Sequence, residues 1–134
     1  MIIGLGTDLC DIRRIEKTLN RFGDRFIQRL YTDHEQSRVK RRQQPAPGYA
    51  QRFAAKEACA KALGTGFRDG VFWRDMEVLN FPSGKPYLTL TGGALARLAA
   101  LTPKNHTAHV ELSLTDEYPL AHGIVVIYAV PSVS

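Results

Sequence analysis

Two carboxylates in compact motifs could hold a metal ion here. Asp8 closes an apolar N-terminal run in Gly6-Thr7-Asp8-Leu9, and Glu57 lies about fifty residues further on. Its setting is Phe53-Ala54-Ala55-Lys56-Glu57-Ala58-Cys59-Ala60-Lys61-Ala62-Leu63-Gly64. A fold that joins Asp8 to Glu57 makes an oxygen-rich site for a hard divalent cation, beside the ammonium of Lys61. Magnesium suits such a site: it takes one or two carboxylates and fills its octahedral shell with waters and phosphate oxygens. Lys61, one turn after Glu57, supplies a point charge for a phosphate. Gly64-Thr65-Gly66 would let backbone amides approach the same anion. The G-x-x-x-x-G-K-[ST] pattern of a Walker A loop is absent from the sequence.

Each of these residues also has a plainer reading. A lone aspartate between a strand and a helix is most often an N-cap. Glu57 and Lys61 have the spacing of a surface ion pair, worth only about 0.3–0.5 kcal/mol. The neighbours shift the balance. Ala54, Ala55, Ala58, Ala60 and Ala62 describe a helix packed closely on several sides, where a charge needs a partner. The histidines carry little signal: His34 reads as an exposed helix start, His106 as loop and His109 as the start of a strand. No serine triad is recognisable. Ser83-Gly84-Lys85-Pro86 is first a hairpin turn, with Lys85 a second candidate for a phosphate.

The elements that must position these groups follow from periodicity. Residues 2–5 read as a short strand, ending near Asp8. Ile12, Ile15, Leu19, Phe22, Phe26 and Leu30 step by three or four, the buried face of a helix from Asp11 to about Leu30 that Gly23 bends or splits. Arg14, Lys17, Arg21, Arg25 and Arg29 form a positive ridge on its other side, with only Glu16 and Asp24 interspersed. Thr32-Asp33-His34-Glu35 has capping-box spacing and starts a second helix to about Arg42. Gln43 to Gly48 reads as a loop, and a third helix spans about Tyr49 to Leu63 before Gly64. A hairpin follows, Asp75 to Phe81 and Tyr87 to Thr91, then a helix to about Leu101 before Pro103. A last hairpin pairs His109 to Thr115 with Leu120 to Val130, turning at Asp116 to Pro119. The expected fold is α+β: one compact domain over residues 1–134, its mostly antiparallel sheet packed against helices.

The composition is that of a globular protein, with 44% hydrophobic and 23% charged residues in 134. No apolar run reaches membrane-spanning length, and the N-terminus does not read as a signal peptide. Cys10 and Cys59 lack zinc-site spacing and read as reduced packing residues of a cytoplasmic protein. The formal charge of +5 favours anionic partners. No nucleic-acid signature or aromatic stacking platform accompanies it, so an acidic protein or a phosphorylated cofactor is favoured over nucleic acid.

At these motifs the chain resembles the holo-[acyl-carrier-protein] synthases, the small bacterial 4′-phosphopantetheinyl transferases. The matching segments are Ile3 to Leu9 with Arg14-Ile15-Glu16, Arg52 to Ala58 with Lys61 to Gly66, Gly84-Lys85-Pro86-Tyr87, and Leu112 to Glu117. They occur in family order over nearly the whole chain. The resemblance implies transfer of the 4′-phosphopantetheine arm of coenzyme A to a serine of apo acyl carrier protein, in support of fatty acid biosynthesis. Adenosine 3′,5′-bisphosphate is the other product. Asp8 and Glu57 match the magnesium ligands. Glu57 or a metal-associated water is the candidate base, and Lys61 stabilises or protonates the leaving phosphate. Arg52, Lys61, Gly64, Lys85, Pro86 and Thr115 are the implied coenzyme A contacts. Arg14, Lys17, Arg21 and Arg25 would dock an acidic helix of the carrier. The resemblance also implies a homotrimer with active sites between subunits, Lys85-Pro86 and Ser113 to Thr115 coming from the second side. One departure stands out: many relatives carry a histidine just after the serine-rich strand, where Asp116 stands here, and the nearest histidine is His109.

Two other classes compete with this reading. A non-catalytic basic module for RNA or an acidic protein would account for the charge alone. A different magnesium-dependent nucleotide enzyme, such as a small hydrolase, would account for the carboxylates.

Overall fold

The computed structural model describes residues 1–133. Its elements run β1 (Ile2–Asp11), α1 (Ile12–Phe22), α2 (Asp24–Leu30), α3 (Asp33–Lys40), α4 (Ala46–Leu63), β2 (Met76–Asn80), β3 (Pro86–Leu90), α5 (Gly92–Leu101), β4 (His106–Glu117) and β5 (Leu120–Pro131). A 3-10 turn at Trp73–Asp75 precedes β2. The fold is α+β, as expected. The antiparallel strands form two sheets rather than one: β1-β5-β4 and the hairpin β2-β3.

Helix α4 is the axis of the molecule. Ala54, Ala55, Ala58, Ala60 and Ala62 are all buried, which explains the run of small residues. One core cluster joins α4 to Met76, Val78, Leu88, Leu112, Val125 and Ile127. A second joins it to Cys10, Ile12, Ile15, Tyr31, Val39 and Ala121. Strands β1 and β5 lie backbone to backbone on this helix. A Cβ on Gly6 would overlap the Ala58 carbonyl, one on Gly4 the Ala62 carbonyl, and one on Gly123 would sit 3.0 Å from the Ala54 backbone. Only glycine permits an approach this close.

Several boundaries differ from the sequence expectation. β1 does not end at Asp8; its pairing with β5 continues through Asp8–Gly123 to Asp11–Leu120. Asp11 is the N-cap of α1, its Oδ1 accepting the Arg13 N–H at 2.9 Å, so the capping reading of Asp8 fails. Gly23, at φ +53°, splits the first helix in two. The capping box at Thr32 and Glu35 is present. α4 starts at Ala46 rather than Tyr49, because Pro47 falls in the first turn, where a missing N–H costs nothing. β4 starts at His106, which is therefore strand rather than loop, and only Tyr118-Pro119 separate β4 from β5. Cys10 and Cys59 are buried and free. Burial pushes their thiols up to about 11 and about 12, so neither is a nucleophile at neutral pH. Among the described residues no helix is long and apolar enough to cross a membrane.

Candidate active site

Side chains alternate along β1, so Asp8 shares a face with Gly4, Gly6 and Cys10, the face pressed on α4. The glycines bring that face close enough for Asp8 to meet α4 directly. Lys61 Nζ lies 3.1 Å from Asp8 Oδ1 and donates to the Thr7 carbonyl at 3.0 Å. Glu57, one turn earlier on α4, is half-buried. Burial raises the affinity of its carboxyl for a proton, the charge of Asp8 raises it further, and Lys61 partly opposes both. Asp8, Glu57 and Lys61 therefore form one electrostatic unit, as the spacing and motifs suggested.

The pair suits a hard cation that brings further oxygen ligands with it. Two carboxylates repel each other across the site, and a divalent ion would relieve that repulsion. No cluster of three or more His, Cys, Asp or Glu side chains suited to a metal occurs among the described residues. A softer metal with an all-protein shell therefore has no set of ligands there, whereas magnesium completed by phosphate and water needs only Asp8 and Glu57.

An apolar groove of about 640 Å³ is lined by Phe22, Phe26, Leu30, Phe53 and Trp73, with Arg25 and Arg29 also at its wall. Phe53 lies one turn before Glu57 on the same helix. Periodicity assigned Phe22 and Phe26 to a buried helix face. The break at Gly23 leaves Phe22 exposed, while Phe26 stays half-buried against the second core cluster, and both line the groove. Arg14, Lys17, Arg21, Arg25 and Arg29 are exposed, and among the described residues none is in a salt bridge. The ridge is shared between α1 and α2.

The remaining sequence candidates lie elsewhere in this chain. Arg52 is buried, its Nη1 donating to the Gly48 carbonyl at 3.1 Å and its Nε left without a partner. The amides of Gly64 and Gly66 are engaged within the chain. The N–H groups bond back to Lys61 and Ala60 carbonyls at 3.0 and 3.2 Å, because the end of α4 needs donors for its own last carbonyls. Lys85 is in the turn between β2 and β3, 3.4 Å from Glu111, and Pro86 opens β3. Thr115 pairs with His122 and faces the opposite side of the sheet from Asp8. The structure thus unites Asp8, Glu57 and Lys61 and leaves Arg52, Lys85, Pro86 and Thr115 outside their reach in one chain.

One buried group escaped the sequence reading. Lys56 and Glu35 form an ion pair of 2.6 Å with both side chains fully buried. The capping box identified Glu35 as a cap, but no local signal shows that its other partner is twenty-one residues away.

A family model described as the 4′-phosphopantetheinyl transferase superfamily matches residues 4–121. The chain belongs to that superfamily. It is 65% identical over 131 residues to the holo-[acyl-carrier-protein] synthase of Methylobacterium nodulans, covering 98% of this chain and 99% of the relative. The structure is similar to that of holo-[acyl-carrier-protein] synthase from Neisseria meningitidis, with a TM-score of 0.83 and 34% identity over 96% of this chain and 99% of that one. It is also similar to the Helicobacter pylori enzyme in complex with coenzyme A, with a TM-score of 0.79 and 27% identity over 92% and 99%. The similarity spans the elements that carry Asp8, Glu57 and Lys61, and fits the resemblance seen in the motifs.

Proposed function

We propose that this chain transfers the 4′-phosphopantetheine group of coenzyme A to a serine of apo acyl carrier protein, releasing adenosine 3′,5′-bisphosphate. The observation that carries the reading is the Asp8–Glu57–Lys61 unit, set by backbone contact between β1 and α4 in a chain that matches holo-[acyl-carrier-protein] synthases from end to end. Asp8 and Glu57 would hold magnesium, which supplies charge neutralisation at the pyrophosphate when bound. Glu57 is the base we favour: it is the half-buried carboxylate beside Asp8, and burial and that neighbouring charge raise its proton affinity in the metal-free chain. Lys61 balances Asp8 before substrate arrives and turns to the leaving phosphate afterwards. Its exposed side chain leaves room for that movement.

The exposed ridge of Arg14, Lys17, Arg21 and Arg25 supports docking of the acidic carrier. The groove between Phe22, Phe53 and Trp73 would take an apolar side chain of the docked helix, with Arg25 and Arg29 pairing with its acids. Burial of Arg52 with an unpartnered Nε supports a phosphate contact there, with Arg38 and Arg42 nearby.

The outer face of β1-β5-β4 supports self-association. Leu5 and Leu9 are 63% and 60% exposed, and Ile124 and Leu120 continue the same apolar surface. A homotrimer closed over this face would place Lys85, Pro86 and Thr115 of one copy near Asp8 and Glu57 of the next. Both substrates are cytoplasmic, which is where we place the protein.

Intact-protein mass spectrometry of apo acyl carrier protein incubated with this protein, coenzyme A and magnesium tests the reading, with an EDTA control. A magnesium-dependent gain of one phosphopantetheine on the carrier serine is expected. An unmodified carrier with folded enzyme would overturn it.

A further inference from the structure

Lys56 adjoins Glu57 in sequence but points away from β1 into the interior, where it is fully buried. Its ammonium meets three oxygens: the Leu30 carbonyl at 2.6 Å, Glu35 Oε1 at 2.6 Å and the Trp73 carbonyl at 3.2 Å. An ammonium has three N–H groups, so each has an acceptor. Glu35 is as fully committed. Its Oε1 also accepts the Thr32 N–H at 3.0 Å, and its Oε2 accepts the Val78 N–H at 3.0 Å.

A buried ion pair is a poor source of stability, because apolar side chains of equal volume serve as well. What this pair does is fix positions. Leu30 and Trp73, whose carbonyls Lys56 holds, both line the groove. They come from different elements, the end of α2 and the 3-10 turn before β2. Phe53, a third lining residue, lies on α4 one turn before Lys56 itself. Three walls from three elements are thus referenced to one ammonium, and Glu35 ties that ammonium to α3 and β2.

We infer that Lys56 and Glu35 are positioning residues for the groove, setting the spacing of Leu30, Phe53 and Trp73 and thereby the capture of the carrier protein. They do not act on the chemistry at Asp8 and Glu57. The inference rests on reading the groove as the carrier's docking site.

The double substitution Lys56→Met with Glu35→Gln tests it. The new amide keeps an oxygen for the Val78 N–H, while the Thr32 N–H loses its side-chain acceptor and the clamp on the Leu30 and Trp73 carbonyls is lost. Trp73 is the single tryptophan of the chain, so quenching of its fluorescence reports the groove directly. In the folded variant we expect easier quenching of Trp73 and a KM for apo carrier raised about tenfold or more, with kcat and the KM for coenzyme A within about twofold of wild type. An unchanged carrier KM, or a loss confined to kcat, overturns the inference. Should the double variant fail to fold, Lys56→Arg gives the same reading: a planar guanidinium cannot aim at the same three oxygens, and an unchanged carrier KM again overturns it. If the wild-type protein transfers no phosphopantetheine at all, the proposed function fails separately. The positioning role then stands on increased quenching of Trp73 and falls on unchanged quenching.

Discussion

Lys61 pairs with Asp8 at 3.1 Å across the boundary between α4 and β1, while no ion pair joins it to Glu57 on its own helix among the described residues. The i,i+4 spacing of Glu57 and Lys61 suggested a local surface pair. The local pair loses because the glycine-bearing face of β1 lies so close to α4 that Asp8 and the Thr7 carbonyl offer Lys61 two oxygens at once. The charge balance of the site is therefore set by tertiary contact. Asp8→Ala and Glu57→Ala should each abolish transfer while circular dichroism shows a folded protein. Lys61→Met should retain metal binding and lower kcat about 10²–10³-fold, the usual cost of removing one stabiliser of transition-state charge. Normal activity in both alanine variants would remove the metal assignment.

The proton affinity of Glu57 gives a stability signature independent of turnover. Burial and the charge of Asp8 raise its folded pKa above the unfolded value. The folded state then binds the proton more tightly, so the favourable contribution is present at low pH and lost as pH rises through the folded pKa. At neutral pH without metal, ionised Glu57 opposes folding. Glu57→Gln should accordingly raise the melting temperature at pH 8 in EDTA and leave it unchanged near pH 4. Magnesium should stabilise the wild type and not the variant. Thermal melts at the two pH values, with and without magnesium, check both statements, and equal melting of variant and wild type at pH 8 would refute the shift.

Much of this architecture was legible in the sequence because the signals were local. The capping box at Thr32 and Glu35, Gly64 after α4 and the turn at Ser83-Gly84 appear where turn and cap chemistry put them. Asp8 was misplaced at a strand end because Gly4, Gly6 and Asp8 are poor strand formers. Pairing with β5 extends the strand through them. The Lys56–Glu35 pair and the groove arise from contacts between distant segments, for which one sequence holds no periodicity. Phe26 fits the helix period and packs against the second core cluster, whereas Phe22 fits it equally well and is exposed, since the period continued across the break at Gly23. Of the candidate coenzyme A contacts, Lys85, Pro86 and Thr115 lie on elements other than β1 and α4, and no local signal in the sequence relates them to Asp8 and Glu57.

Gly6 links packing to catalysis. A Cβ there would overlap the Ala58 carbonyl, a backbone atom that cannot turn aside. Gly6→Ala must lift β1 off α4, at a cost of about 1–3 kcal/mol for overpacking. Asp8, two residues on along the same face, moves with the strand. Displacing a reacting group by about 1 Å can lower the rate about 10²-fold, so kcat should fall by that order. Denaturant unfolding and steady-state kinetics measure the two effects. A variant with lower stability and full kcat would show that Asp8 does not depend on this contact.

The ridge on α1 faces solvent, and among the described residues none of its charges is in a salt bridge, which suits an acidic protein. Reversing Arg14 and Arg21 to glutamate should raise the KM for apo carrier about tenfold or more, with little change in kcat or in the KM for coenzyme A. Arg21 also lies over the ring of Phe22 at 5.0 Å, so its loss alters the groove margin as well. The effect of the charges should shrink as salt rises, because exposed charges are screened within about 10 Å at 0.1 M. An unchanged carrier KM at low salt would rule out the docking role.

The outer sheet face carries the last test. Leu9 is 60% exposed and pairs in register with His122, which pairs in turn with Thr115. His122 shares a hydrogen bond of 2.6 Å with Thr7, so this row joins all three strands. Leu9→Asp puts a charge on the apolar face without touching α4 or the inward side of β1. If copies of the chain close over this face, the variant should sediment as a monomer and lose transfer, although its Asp8, Glu57 and Lys61 are intact. Loss would follow because Lys85, Pro86 and Thr115 could no longer reach the acidic site from a neighbouring copy. A monomeric variant with wild-type activity would show that one chain holds the whole site. A variant that stays oligomeric would move the interface to another surface. Light scattering after size exclusion, followed by the transfer assay on the same fraction, distinguishes these outcomes.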